Sequence, residues 1–378
     1  MTVCAAVCEF NPFHNGHKYL LEKMKADNDF AVCIMSGNFV QRGEFAVCDK
    51  YIRAREAVRN GADLVIELPL PYAVSPAQTF AAGSVGVLNR LNIIDSLYFG
   101  AESSLSELYS VHALTGSYDF RTKLDAAMKR GASYPDAFFE AAGKDCLCGG
   151  NDILALEYIS RLEELKSPIK PVAVKRKGNW HGSDTPVGDY ASASYLRKLI
   201  SQGENTEKYM PFCIDKADLS DFTKLEITVL SKLRQMSENE FAQIADVTEG
   251  LEYRLKKAIS EAKSLDDFFE KVRTRRYTLS KIRRIILCSF LGVTKDMQGR
   301  IPSFVNVLAC NENGAKLISD IRKKSDIIPV IRFSDTEKLS QKDKMLYEFT
   351  SVCDDIFGLS LPEIRPTGYD KTHRFNII

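Results

Sequence analysis

Across its first 200 residues the chain alternates short apolar runs with segments of helical periodicity. The apolar runs are Val3–Val7, Ala31–Met35, Asp63–Leu68, Ile94–Phe99 and Pro171–Val174. Between them His17–Lys25, Lys50–Asn60, Pro76–Arg90 and Ile153–Leu165 carry apolar residues at helical spacing. Strands alternating with helices imply βαβ units and a parallel sheet, so the expected class is α/β. In such a sheet, ligands bind beyond the carboxyl ends of the strands.

From about residue 215 the texture changes. Ser220–Lys232, Leu251–Ala262, Leu265–Val272 and Ser280–Leu291 read as helices. Two later strands, Phe304–Leu308 and Ile327–Ile331, flank a helix at Gly314–Lys323, which predicts a small βαβ appendage. The polar stretch Ser201–Glu207 marks the boundary, giving a domain at 1–205 and a mainly helical region at 206–378. A length of 378 residues suits two domains.

The net charge of +1 excludes a blanket polyanion coat and leaves room for a local basic patch. No apolar run approaches a membrane span, and no basic region precedes the short apolar run at the N-terminus, so no membrane association is expected. Ten cysteines, several inside apolar stretches as at Cys4, Cys33 and Cys288, read as reduced and cytoplasmic. Cys146 and Cys148 form the only close pair; no partner pair has metal-site spacing, so no metal site is assigned.

The chemistry concentrates in residues 8–17, Cys-Glu-Phe-Asn-Pro-Phe-His-Asn-Gly-His, which leave the first strand and open the first helix. His14-Asn15-Gly16-His17 has the form HxGH and uses two of the five histidines in the chain. A helix N-terminus offers unpaired N–H groups and a positive dipole end, so phosphate binds there. Gly16 lets the backbone approach a ligand closely. Both imidazoles can donate to phosphate oxygens and stabilise charge developing at an attacked α-phosphoryl group. Such transfers need positioning and electrostatics rather than a protein nucleophile. Zinc held by His14 and His17 would lack a convincing third ligand.

Further segments fit the same crevice. Ser192 and Ser194 open a late helix, where hydroxyls cap the helix and meet phosphate. Arg197 in its first turn can reach β- and γ-phosphates. Lys175-Arg176-Lys177 follows a strand and precedes a glycine-containing loop, and Gly37 and Gly100 end strands.

At these residues the chain resembles the bacterial tRNA(Met) cytidine acetate ligase family, within the HxGH nucleotidylyltransferase superfamily. The resemblance rests on VCEFNPFHNGH, MSGNFVQRGE, KYIRAREAVRNGADLVIELP, YFGAES, GGNDILALEYI and ASASYLR, in order, with RRYTLSKIRRIIL in the helical half. It implies a Rossmann-like catalytic domain that binds ATP, with Mg²⁺ expected alongside. In the reaction it implies, acetate attacks the α-phosphate to give acetyl-adenylate, and the wobble cytidine N4 amine of elongator tRNA(Met) then takes the acetyl group. Carried over by position, ATP would be wrapped by Val7, Cys8, Glu9, Phe10, Asn11, Pro12, Phe13, His14, Asn15, Gly16, His17, Lys18, Tyr19 and Leu20. Gly100, Asn151 and Arg176 would add contacts, and His14 and His17 would stabilise the transition state. Gln41 and Arg42 are the acetate-site candidates, because their loop should sit beside the reacting centre. Two departures stand out: Phe45 where the family usually has Pro, which changes a loop, and a divergent ending at Arg374-Phe375-Asn376.

Lys271, Arg273, Arg275, Arg276, Lys281, Arg283 and Arg284 form a basic run around Tyr277 with no acidic residue from 271 to 284. Phosphate contact plus base stacking uses this composition, so the run is the expected tRNA-binding patch. Two other readings compete. A metabolite nucleotidylyltransferase would seldom carry so long a basic helical half, and an RNA-binding protein with a decayed site would not keep His14, Gly16, His17 and Arg197 intact.

Overall fold

A computed structural model describes residues 1–143, 149–177, 185–248 and 250–378. Cys146, Cys148 and the loop after Lys177 lie outside the described residues. The strands are β1 (Val3–Cys8), β2 (Phe30–Ser36), β3 (Phe39–Val40), β4 (Glu44–Phe45), β5 (Leu64–Leu68), β6 (Ser96–Ala101), β7 (Lys170–Lys175), β8 (Phe304–Cys310) and β9 (Ile328–Val330). In the first half the helices are α1 (Asn15–Asp27), α2 (Lys50–Arg59), α3 (Leu70–Ala73), α4 (Ala77–Leu91), α5 (Leu105–Thr115), α6 (Tyr118–Lys129), α7 (Tyr134–Ala142), α8 (Gly150–Glu164) and α9 (Ala193–Gln202). Those that follow are α10 (Glu226–Gln235), α11 (Glu238–Gln243), α12 (Leu251–Glu261), α13 (Leu265–Val272), α14 (Leu279–Leu291), α15 (Glu312–Lys324), α16 (Gln341–Gly358) and α17 (Tyr369–Thr372).

Seven strands form one sheet in the order β7-β6-β1-β2-β5-β8-β9. The five expected strands pair in parallel, as in Cys8 opposite Met35 and Tyr98 opposite Val172. Successive side chains point to opposite faces, so each strand feeds two cores. Ala5, Val32, Ile34 and Ile66 pack with α4, α8 and α15 on one face. Cys4, Ala6, Ala31, Cys33 and Met35 pack with α1 and α2 on the other. Burial on both faces is why these strands read as continuous apolar runs rather than alternating ones.

The second half does not stay apart from this sheet. β8, α15 and β9 form the expected βαβ unit, but the unit is no appendage: β8 pairs antiparallel with β5. The apolar strand Leu64–Leu68 has a long edge that needs a partner, and β8 supplies it. Gly314 at the start of α15 lies against the carbonyl of Asp63, where a Cβ would clash with backbone. The remaining helices build a separate core from Val229, Leu233, Phe241, Leu255, Phe268, Ile285 and Phe357. Phe39, Phe45, Leu70 and Val74 from the first half join that core. Among the described residues no helix is long and apolar enough to cross a membrane.

Candidate active site

β1 ends at Cys8, and the chain turns through Phe10 (φ 47°) and the cis Asn11–Pro12 bond into α1. His14 is the N-cap of α1. Its Nδ1 accepts the Gly16 N–H at 3.0 Å, and the His14 N–H donates to His17 Nδ1 at 3.3 Å. This reciprocal cap is built from two imidazoles instead of Ser and Glu. Because each Nδ1 accepts a backbone hydrogen, the neutral rings carry their proton on Nε2. The rings stack with centroids 3.7 Å apart. Burial, reinforced by the nearby Arg176, pushes His14 down to about 3. Burial, then the neighbouring His14, puts His17 well below the ordinary range. Both are therefore neutral N–H donors at physiological pH. A Cβ on Gly16 would lie 2.9 Å from the His14 ring, so glycine is what allows this cap to close.

A cavity of about 340 Å³ opens beyond the carboxyl ends of β1 and β6, where the strand order reverses. Among the described residues its lining holds five cations, Arg42, Lys175, Arg176, Lys177 and Arg197, against one carboxylate, Glu9. That balance, 5 − 1 = +4 before the neutral histidines, suits a polyphosphate.

Most of the sequence-derived site converges here. Val7, Cys8, Glu9, Phe10, Asn11, His14, Gly16, His17, Tyr19, Leu20, Gly100, Asn151, Arg176, Ser192, Ser194 and Arg197 line the cavity, as do Gln41 and Arg42. Pro12, Phe13, Asn15 and Lys18 do not. Phe13 is fully buried against Phe10, and Asn15 donates to the carbonyls of Asp189 and Lys208, tying the turn to a distant segment. Ser192 caps α9 by accepting from the Tyr195 N–H at 3.1 Å. Gly100 leaves room for Arg176, whose Cγ would touch a Cβ there at 3.4 Å.

Loop 37–45 closes one end of the cavity. Glu9 Oε1 accepts the Gln41 N–H at 2.7 Å, and Arg42 Nη1 donates to Ser194 Oγ at 3.1 Å. Arg197 donates to the carbonyl of Asn11 at 2.9 Å and to Ser194 Oγ at 3.4 Å. Burial raises the Glu9 carboxyl, with the Gln41 N–H, Arg197 and Arg42 opposing. Lys177 sits 4.2 Å over the ring of Tyr19 and 5.8 Å from that of Tyr190. Tyr158 and Tyr190 in the lining went unread in the sequence; a tyrosine just before Ala191-Ser192 is an ordinary loop residue until the fold turns it inward.

The basic run divides. Arg273, Arg275 and Arg276 are exposed, and Arg276 leans 5.6 Å over Tyr277. Lys281 and Arg284 pair with Asp246, and Lys271 with Asp267. Arg283 pairs with Glu44 at 2.5 Å, while Arg197 lies 3.8 Å from the same carboxylate. Gly43 (φ 74°) packs against the backbone of Arg283 and Arg284 so closely that a Cβ could not fit. The basic helix and the cavity loop are thus one contiguous surface.

Outside the cavity lining lies a charged cluster that sequence reasoning missed. Lys50, fully buried, donates to Glu67 (3.1 Å), Asp354 (2.7 Å) and Asp370 (2.8 Å). Burial opposes its charge, but the three carboxyls hold its titration well above the ordinary range. A glutamate inside the apolar strand LVIEL was the available signal, since a buried charge demands a partner. The residues just before the divergent Arg374-Phe375-Asn376 join this cluster, with Asp370 reaching Lys50 and His373 stacking on Tyr51 at 3.7 Å, and beyond it the Ile378 N–H donates to the carbonyl of Cys310 at the end of β8. Phe45, the other departure, packs against Phe39, Phe222 and Phe357, which binds the loop to the helical core.

Comparison with known proteins agrees with this geometry. A family model described as HIGH Nucleotidyl Transferase matches residues 1–370. The tRNA(Met) cytidine acetate ligase of Acetivibrio thermocellus is 34% identical, covering 100% of both chains. That of a Thermoanaerobacter species is 34% identical over 99% of each. Apo TmcAL of Thermotoga maritima superposes with a TM-score of 0.92 at 28% identity, covering 100% of both chains; its complex with alpha-thio ATP gives 0.89.

Proposed function

The chain belongs to the tRNA(Met) cytidine acetate ligase family of HIGH nucleotidyltransferases, and from that membership we propose that it acetylates the wobble cytidine of elongator tRNA(Met) in two ATP-dependent steps. One observation carries the reading of the site: two neutral, reciprocally capped imidazoles head a cavity lined, among the described residues, by five cations and one carboxylate.

In the first step an acetate oxygen attacks the α-phosphorus of ATP and pyrophosphate leaves. The Nε2–H groups of His14 and His17 donate to the oxygens on which charge develops, and they need no reorganisation because the backbone already fixes their tautomer. Arg176 and Arg197 balance the triphosphate, and Gly100 and Asn151 lie where the nucleoside would extend along β6 and α8. Gln41 and Arg42 face the acetate, held in place through Glu9 and Ser194. Mg²⁺, when bound with ATP, would supply further charge neutralisation, and Glu9 is the lining carboxylate that would face it.

In the second step the N4 amine bonds to the acetyl carbon, the bond from that carbon to the phosphate oxygen breaks, AMP departs, and the amine loses a proton. Cytidine N4 is a poor nucleophile because its lone pair is delocalised into the ring, so the mixed anhydride is needed. An anticodon base is already unpaired and costs little to present. Arg273, Arg275 and Arg276 offer their charges to the tRNA backbone, and the enzyme works in the cytoplasm, with tRNA. Incubation with ATP, labelled acetate and tRNA should release pyrophosphate and label the RNA. AMP transfer to a small metabolite, or tRNA binding without turnover, would overturn the proposal.

A further inference from the structure

Arg53 stands in the middle of the KYIRAREAV segment, on α2, and has no part in lining the cavity. Its side chain is fully buried. Four main-chain carbonyls receive its hydrogens: Nε donates to Cys48 at 3.1 Å, Nη1 to Glu9 at 2.5 Å and to Ser36 at 3.1 Å, and Nη2 to Gly37. Among the described residues no carboxylate hydrogen-bonds to this guanidinium. A buried cation is expensive, burial lowers the titration of this one although Asp49 and Glu9 lie near enough to favour its charge, and an apolar side chain of similar length would fill the same space. Its geometry explains why it is there. The pairing of β1 with β2 ends at Cys8 and Met35. The next residue of each chain, Glu9 and Ser36, turns its carbonyl to one nitrogen of the same fork.

These two chain ends carry the reacting groups. Glu9 opens the turn that ends in His14 and His17, and Gly37 opens the loop that carries Gln41 and Arg42. We propose that Arg53 is a positioning residue for adenylate formation: its planar fork takes over where the β1–β2 ladder stops, and fixes the spacing between the imidazole turn and the Gln41–Arg42 loop. This inference rests on the two-step reading above. A lysine carries the charge on a single nitrogen, so it cannot also hold the Cys48 and Gly37 carbonyls that the other two nitrogens of the fork take.

The test compares Arg53→Lys and Arg53→Met with the wild type in full-length protein. Pyrophosphate release with ATP and acetate gives kcat and KM for the first step, and filter binding gives the tRNA Kd. Because a misplacement of about 1 Å can cost about a hundredfold in rate, kcat should fall about tenfold in Arg53→Lys and about a hundredfold in Arg53→Met. KM for ATP and the tRNA Kd should stay within about threefold, because neither the cationic lining nor the basic patch has changed. Unchanged kcat in both variants would overturn the inference. So would a loss of kcat matched by an equal loss of tRNA binding, or unfolding of both variants, since either assigns Arg53 to the core alone. If Arg53→Met does not fold, Arg53→Lys decides. A wild type that forms no acetyl-adenylate would instead sink the functional reading and leave the role of Arg53 to fall with it.

Discussion

Replacing Lys50 by Met is the sharpest test of how the two halves are joined. The substitution keeps a long unbranched stem and removes one positive charge from among Glu67, Asp354 and Asp370, all nearly inaccessible to water. With Lys50 present, one cation faces three carboxyls, and Asp354 and Asp370 share a hydrogen bond. Removing one partner of a buried ion pair typically costs about 3–5 kcal/mol, because the remaining charge stays buried. Here more than one carboxyl loses its counter-charge, so the upper end of that range applies near pH 8. Against a total stability of about 5–15 kcal/mol this is a large fraction. The pH dependence gives the sign. Burial raises Glu67 and Asp354 above their ordinary values of 4.5 and 3.8. Burial would raise Asp370 too, but Lys50 and its hydrogen bonds outweigh it and leave it lowered. In the variant all three should lie above the unfolded values. A raised carboxyl adds stability below its unfolded pKa and loses it as pH climbs through the folded one. The Lys50→Met deficit should therefore be smallest near pH 4 and widen toward pH 8. Urea unfolding at several pH values measures it. A deficit under about 1 kcal/mol at pH 8, or one independent of pH, would refute the charge argument.

Four further outcomes follow from the site. His14→Ala or His17→Ala should slow pyrophosphate release by about 10²–10³-fold, as loss of a preorganised donor does, with near-wild-type activity refuting the assignment. Since burial lowers both imidazoles, the wild-type rate should show no histidine limb between pH 6 and 8, and the stability these rings contribute should be lost as pH falls from about 6.5 toward 3. Reversing Arg273, Arg275 and Arg276 to Glu should weaken tRNA binding and flatten its salt slope by about two, at roughly 0.7 per single-strand phosphate contact, while adenylate formation continues; an unaltered slope would remove the patch from the interface. Arg283→Ala should behave differently and impair adenylate formation as well, because Glu44 lies on the loop with Gln41 and Arg42. A rate equal to wild type would show that the loop holds without it.

How the halves meet bears on the chemistry as well as on stability. Loop 37–45 is clasped from three sides: Phe45 among the aromatic rings of the helical core, Gly43 against the start of α14, and Asn38 donating to Asp354 at 2.8 Å. A tRNA lying on the exposed arginines would therefore rest against the elements that hold Gln41 and Arg42.

Local sequence determined much of this molecule. The strand and helix alternation, the placement of His14-Asn15-Gly16-His17 between β1 and α1, and the Ser192 cap were all legible, because periodicity and capping are set by neighbours a few residues apart. The helices from Leu105 to Ala142 went unread although Ser104, Ser117 and Ser133 cap each one. Tertiary structure alone decided that β8 would close the edge of β5, that Arg283 would serve Glu44 rather than stand free, and that the last ten residues would bring Asp370 to Lys50. The physical reason is common to all three. An open strand edge or a buried charge states in the sequence that a partner is required, but which residue arrives, from hundreds of positions away, is settled only when the cores pack.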